Sequence, residues 1–185
     1  IIEENPFNQL RFQFRTEKVL PKTIPYDILK SIFIYLEQRV VISKTNYQKQ
    51  KAERNLLIIS LLLSTGIRIS ELCHIHLKDI NLSNKTLHII GKGKKERILF
   101  LGDQTTFNLL EIYINKTGNK SNDFLFPGKH SPKPLSEQSV RLILKRIVEQ
   151  NSLSRTITPH MFRHSFATML LDSDVDIRYI QQILG

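Results

Sequence analysis

Apolar positions recur at helical spacing through most of this chain, and in one region the pattern breaks. From Tyr26 to about Val41, residues Ile28, Leu29, Ile32, Phe33 and Leu36 fall at three- and four-residue steps, which predicts an amphipathic helix. Ser43 to Gln50 is polar and basic, as a loop would be. Ala52 to Ser64 is apolar almost all round, so it should be a central, buried helix that ends at Thr65-Gly66 with Gly66 as its left-handed cap. A short helix should begin near Ser70, with Leu72, Ile75 and Leu77 as its apolar side. The pattern then changes. Thr86 to Ile90 and Glu96 to Leu101 are β-branched or apolar runs flanking Gly91-Lys92-Gly93-Lys94-Lys95, which predicts a β-hairpin with a basic, glycine-rich tip. Helical spacing returns from Thr106 to about Asn115, with Leu109, Leu110, Ile112 and Tyr113 inside. After a brief extended piece from Asp123 to Pro127, Ser136 should cap a helix with Val140, Ile143, Leu144 and Ile147 as its core stripe. Thr158-Pro159 should start the next helix, to about Leu171, with the proline at its first position. Asp176 to Leu184 should form the last.

The fold class expected is therefore mainly α with a small antiparallel β-hairpin or sheet (α+β). At 185 residues the chain has room for one domain and a short appendage. Residues 1–21, with turn signals at Asn5-Pro6 and Pro21, are expected to be an interdomain linker, and 22–185 the domain itself. The most apolar stretch, Leu56 to Leu63, falls short of the ~18–20 residues of a membrane span. Ile1-Ile2-Glu3-Glu4 lacks the basic start and apolar core of a signal peptide, and the missing initiator Met suggests a piece of a longer protein. The single cysteine, Cys73, excludes an internal disulfide and a cysteine-based metal cage, which fits a reducing cytoplasm. His74 and His76 alternate without completing a recognisable ligand set, so they fit a solvated helix face rather than a metal site.

Charge narrows the partners. Twenty-seven Lys and Arg against 17 Asp and Glu leave a net +10. Such a surface gains affinity for nucleic acid by displacing counterions from the phosphates. Three separated places hold residues suited to a phosphate. Arg68 follows the predicted buried helix in a tight turn, Thr65-Gly66-Ile67-Arg68-Ile69-Ser70-Glu71-Leu72, where its planar fork can bind two oxygens and Glu71 can brace it. Lys92 stands at the hairpin tip between two glycines, a mobile charge and potential proton donor. His160, Arg163 and His164, in His160-Met161-Phe162-Arg163-His164, share one helix face, with His160 in the first turn where the dipole favours an anion. Each alone has a bland explanation: a surface Arg–Glu pair, a solvated basic tip, a buried His164 bonded to backbone.

Taken together and in this order, the three motifs resemble the tyrosine recombinase (phage integrase) family, in particular its Xer-like and mobile-element integrases. The family has an Arg in a Thr-Gly-x-Arg-x-Ser-Glu-Leu stretch, then a Lys in a Gly-Lys-Gly hairpin, then His-x-x-Arg-His. Leu184-Gly185 also matches, and the resemblance runs from about Pro21 to Gly185. It implies the catalytic-domain fold of that family and a double-stranded DNA substrate. It also implies cleavage through a 3′-phosphotyrosyl link, with no metal or other cofactor consumed. The carried-over roles are Arg68 and Arg163 as clamps on the non-bridging oxygens, His160 as a further donor, and Lys92 as general acid. Glu71 and His164 would be supporting residues. Lys94, Lys95, Arg97, Arg141 and Lys145 are expected to contact DNA.

The chain departs from the family pattern at both ends. Only linker-like residues stand where the family carries a DNA-binding helical domain. The family's next His or Trp, and its nucleophilic Tyr roughly ten residues further, would fall beyond Gly185. The nearest tyrosine, Tyr179, precedes Leu-Gly and fits a packing or surface role. This piece is therefore expected to be monomeric, to bind DNA weakly and not to cleave it, whereas the parent would act as a tetramer on DNA. Three other readings stay open on the sequence: a non-catalytic DNA-binding or regulatory protein on the same scaffold, a type IB topoisomerase, and a basic module for another polyanion.

Overall fold

The computed structural model describes residues 22–91, 96–117, 123–128 and 133–185. The expected linker, residues 1–21, lies outside the described residues, as does the hairpin tip with Lys92, Lys94 and Lys95. In chain order the elements are α1 (Tyr26–Val41), α2 (Asn46–Thr65), α3 (Ile69–Cys73), a 3-10 turn (Leu77–Asp79), β1 (Ile80–Asn81), β2 (Thr86–Ile90), β3 (Glu96–Phe100), α4 (Gln104–Thr117), α5 (Glu137–Gln150), α6 (Pro159–Asp172) and α7 (Ile177–Leu184).

The core forms around α2. Leu57, Ile58, Ile59, Leu61 and Leu62 are at most 1% exposed, so this segment is enclosed on every side, as its unbroken apolar run requires. Helices α1, α4 and α6 pack around it. The helix starts earlier than its apolar residues do. Thr45 accepts a hydrogen bond from the Gln48 backbone N–H and caps it, so Asn46 to Lys51 form a solvated first stretch instead of a loop. The far end turns at Gly66, which has φ 61° and ψ 20°. A Cβ at that position would lie 2.5 Å from Phe166 Cδ1 and 2.9 Å from Leu184 Cδ2, so the absent side chain also lets α6 and α7 come close.

The hairpin is present as expected, with Leu87 opposite Leu99 and Ile89 opposite Arg97. A third, two-residue strand, β1, pairs antiparallel with β2 and makes the order β1-β2-β3. Leu87, Ile89 and Leu99 face the core, while Ile90, Ile98 and Phe100 are exposed. Cys73 is buried. His74 is exposed beyond the end of α3, and the His76 ring lies 4.2 Å from that of Phe124, so neither histidine stands on a solvated helix face. Among the described residues no helix is long and apolar enough to cross a membrane.

Candidate phosphate-binding site

Three sequence features converge where α2 ends. The turn at Gly66 delivers Arg68 to the start of α3, and Glu71 reaches back so that its Oε2 accepts the Arg68 backbone N–H at 3.0 Å. Glu71 Oε1 also accepts from Arg68 Nη1, at 3.1 Å. The Arg68 side chain remains 39% exposed and opens on a groove of about 840 Å³, lined also by Ser70, His74, Gly91 and Gln182. Gly91 brings the base of the hairpin to that groove.

The α6 motif arrives from the other side. Met161, Phe162 and Ser165 are buried, which turns His160, Arg163 and His164 outward as the spacing predicted. His164 is exposed, not a buried histidine bonded to backbone. Thr158 is the N-cap residue and Pro159 follows it, but the Thr158 side chain makes no capping bond. Arg163 Nη1 donates to the Gly66 carbonyl at 2.9 Å, which fixes it against the α2 turn. Its Nη2 donates to the carbonyls of Leu184, at 2.6 Å, and Gly185, at 3.5 Å. Arg68 Nη2 donates to the same Gly185 oxygen at 2.5 Å. The guanidinium groups of Arg68 and Arg163 are thus brought together on neighbouring oxygens, those of Gly185 and Leu184.

Arg97 is the residue whose place differs from its expected role. Its side chain is 12% exposed and turned inward, not toward solvent. Nη1 and Nη2 donate to Glu71 Oε1 and Oε2 at 2.9 and 2.7 Å, and Nε donates to the Ile183 carbonyl at 2.9 Å. Each of its three nitrogens therefore holds an internal acceptor, and the residue also lines the groove beside Arg68. The strand pattern left its direction open, because Ile98 to Leu101 are apolar in succession and alternation cannot choose a face.

The electrostatics follow from these contacts. Burial pushes the Glu71 carboxyl up, but hydrogen bonds and charge from Arg97, with the bonds from Arg68, outweigh it and hold the group below its ordinary value. Arg163 is pulled down to about 10 by burial and by the neighbouring charges of Arg68 and Arg97, with Glu71 opposing. Two guanidinium groups therefore bond one carboxylate while a third, Arg163, stands near enough to feel its charge, and the surplus is positive.

The remaining expected residues lie around this centre. His160 is exposed and lines a second cavity, of about 570 Å³, with Ile69, Arg141 and Lys145. Arg141 pairs with Glu137 at 2.7 Å, and Lys145 approaches Glu149 at 3.8 Å, both as exposed pairs along α5. Among the described residues no group of three or more His, Cys, Asp or Glu side chains is placed to hold a metal ion.

Comparison with known proteins finds relatives along the whole chain. The model of the phage integrase family matches residues 33–185. A tyrosine recombinase of Agathobacter rectalis is 49% identical over 189 residues, covering 100% of this chain and 61% of that protein. The tyrosine recombinase XerC of Bacillus subtilis is 33% identical over 192 residues, covering 100% of this chain and 59% of that protein. Among solved structures, the XerH site-specific recombinase in its post-cleavage complex with a palindromic difH substrate superposes with a TM-score of 0.73 at 28% identity, over 90% of this chain and 46% of that one. The Tn1549 transposon integrase with transposon right-end DNA gives the same TM-score at 22% identity, a likeness of fold, over 100% of this chain and 64% of that one. The chain spans about three fifths of the length of the curated relatives.

Proposed function

Because this chain belongs to the phage integrase family of tyrosine recombinases, we propose that it supplies the phosphate-stabilising part of the active site of a site-specific DNA recombinase. The observation that carries this is the pair of guanidinium groups, Arg68 and Arg163, brought together on the adjacent Gly185 and Leu184 oxygens within a site of surplus positive charge. A non-bridging oxygen of a DNA phosphate is an acceptor of the same kind, and its charge grows as the phosphorus becomes pentacoordinate. Donors fixed in advance at that oxygen lower the barrier.

In the reaction proposed, a tyrosine from outside these 185 residues attacks the phosphorus through its hydroxyl oxygen. The bond to the 5′-oxygen breaks, a 3′-phosphotyrosyl link forms, and the departing 5′-oxygen takes a proton from Lys92 as general acid. A 5′-hydroxyl from a partner strand reverses the step. Arg68 and Arg163 hold the non-bridging oxygens and His160 donates to one, while Glu71 and His164 orient these groups. Lys94, Lys95, Arg141 and Lys145 would follow the duplex, with α5 carrying the last two beside His160. The parent protein would assemble as a tetramer on DNA.

Two measurements test this. Duplex affinity at low salt should fall further for Arg68→Ala and Arg163→Ala than for substitution of the exposed Arg39, and the slope of log K against log salt should shrink by about 0.9 for each lost phosphate contact. Equal losses at all three positions would refute the phosphate site. Incubated with a nicked duplex, this chain should give no covalent protein–DNA band on a denaturing gel, whereas the longer parent should.

A further inference from the structure

Arg97 stands apart from the roles assigned so far. It lies on β3 between the exposed Glu96 and Ile98, yet its own side chain points inward with Leu99. Inward arginines on a sheet are rare unless they are paired. This one is paired on two sides. Its two terminal nitrogens clasp both oxygens of Glu71, which is only 4% exposed, and Nε donates to the carbonyl of Ile183 near the end of α7. One side chain therefore joins β3, α3 and α7.

Glu71 is saturated by this arrangement. A carboxylate offers about four lone-pair directions, and Glu71 accepts two bonds from Arg97 and two from Arg68. With Arg97 lost, the buried carboxylate would have only Arg68 to neutralise it and would draw that guanidinium away from the groove. The end of α7 depends on the same residue. Here the Ile183 carbonyl accepts from Arg97 and the Leu184 carbonyl from Arg163, so two cations hold the last residues of α7 against the site.

We propose that Arg97 is a positioning residue for the phosphate site: it fixes Glu71 behind Arg68 and fastens the end of α7 to the sheet, so that Arg68 and Arg163 stay aimed at one point. This rests on the phosphate reading given above. Lysine cannot replace it, since a single ammonium cannot clasp both carboxylate oxygens and reach Ile183 from a separate nitrogen.

The test is a double-mutant cycle on duplex DNA affinity with the 185-residue chain, below its melting temperature at fixed low salt. Arg97→Lys keeps the charge and should lower affinity about tenfold, the scale of a charge-assisted hydrogen bond. In an Arg68→Ala background the same substitution should change affinity less than about twofold, because Arg97 acts through Arg68. Hydrogen exchange at the α7 amides should quicken in Arg97→Lys. Arg97→Met is the harsher second variant, and circular dichroism at the assay temperature shows which variants remain folded. If Arg68→Ala binds like the wild type, the phosphate reading falls, and this proposal with it. If Arg68→Ala loses affinity but Arg97→Lys does not, only the positioning role falls. An undiminished loss in the Arg68→Ala background would make Arg97 a direct DNA contact and also overturn the proposal. A role in stability alone would lower the melting temperature and leave the folded variant's affinity unchanged.

Discussion

Replacing Gly66 with alanine perturbs the joint on which the whole site hangs. Two costs can be worked separately. Gly66 has φ 61°, and a left-handed conformation costs a residue with a Cβ about 1–2 kcal/mol. The new methyl would also stand 2.5 Å from Phe166 Cδ1 and 2.9 Å from Leu184 Cδ2, contacts that require both side chains to move. Forcing an extra carbon into a packed region costs about 1–3 kcal/mol. The sum is about 2–5 kcal/mol, or about 4–20 °C in melting temperature for a domain of this size. Differential scanning calorimetry of the wild type and Gly66→Ala measures it directly. The two terms separate in a Phe166→Leu background, where much of the crowding disappears and alanine at 66 should cost only about 1–2 kcal/mol. Duplex affinity should fall as well, since the Gly66 carbonyl anchors Arg163 at 2.9 Å. A melting temperature within about 1 °C of wild type would refute the reasoning, because neither the conformation nor the contact could then be as described.

Two further expectations concern the core. Leu57 lies fully buried on α2, so Leu57→Ala should cost about 2–5 kcal/mol in denaturant titration, whereas alanine at the 83%-exposed Val41 should stay within about 0.5 kcal/mol. The Cys73 thiol is pushed from an ordinary 9.0 to about 11, first by burial and then by the charge of Glu137, with Arg141 partly offsetting. A raised folded value means that its contribution is complete below about pH 9 and is lost as pH rises through 11, by up to about 2–3 kcal/mol. The stability difference between wild type and Cys73→Ala, followed by urea titration from pH 8 to 11, should therefore shift against the wild type by that amount, and a pH-independent difference would contradict it.

Much of this architecture is legible in the chain because a few signals have one solution each. The run Leu56 to Leu62 has no polar face to expose, so α2 had to be central. Gly66 directly after it could end the helix and turn the chain toward Arg68. The hairpin strands were fixed by apolar runs on either side of a glycine-rich tip. Other features depend on partners distant in sequence. The two-residue β1 is too short to show a period, and it exists because β2 offers it an edge. The polar first turns of α2 carry no apolar stripe, and only the Thr45 cap marks their start. The site divides the same way. Arg68, Glu71 and Arg163 were found from local motifs and do meet in space. Arg97 was assigned to the surface because its true partner, Glu71, lies twenty-six positions away on another element.

Three guanidinium groups around a single carboxylate also say something about what the domain gives up. Arg163 is pulled down to about 10, first by burial and then by the charges of Arg68 and Arg97. A neutral side chain at the 39%-exposed Arg68 would relieve part of that repulsion, whereas Arg97 is held to a buried carboxylate and could not be lost without cost. Keeping all three sets like charges close together inside the fold. An anion that enters the site relieves the repulsion, and its binding energy is added to the stability of the fold by mass action. Endurance and occupancy are thereby linked: this domain is at its sturdiest when the charge it lacks has arrived from outside.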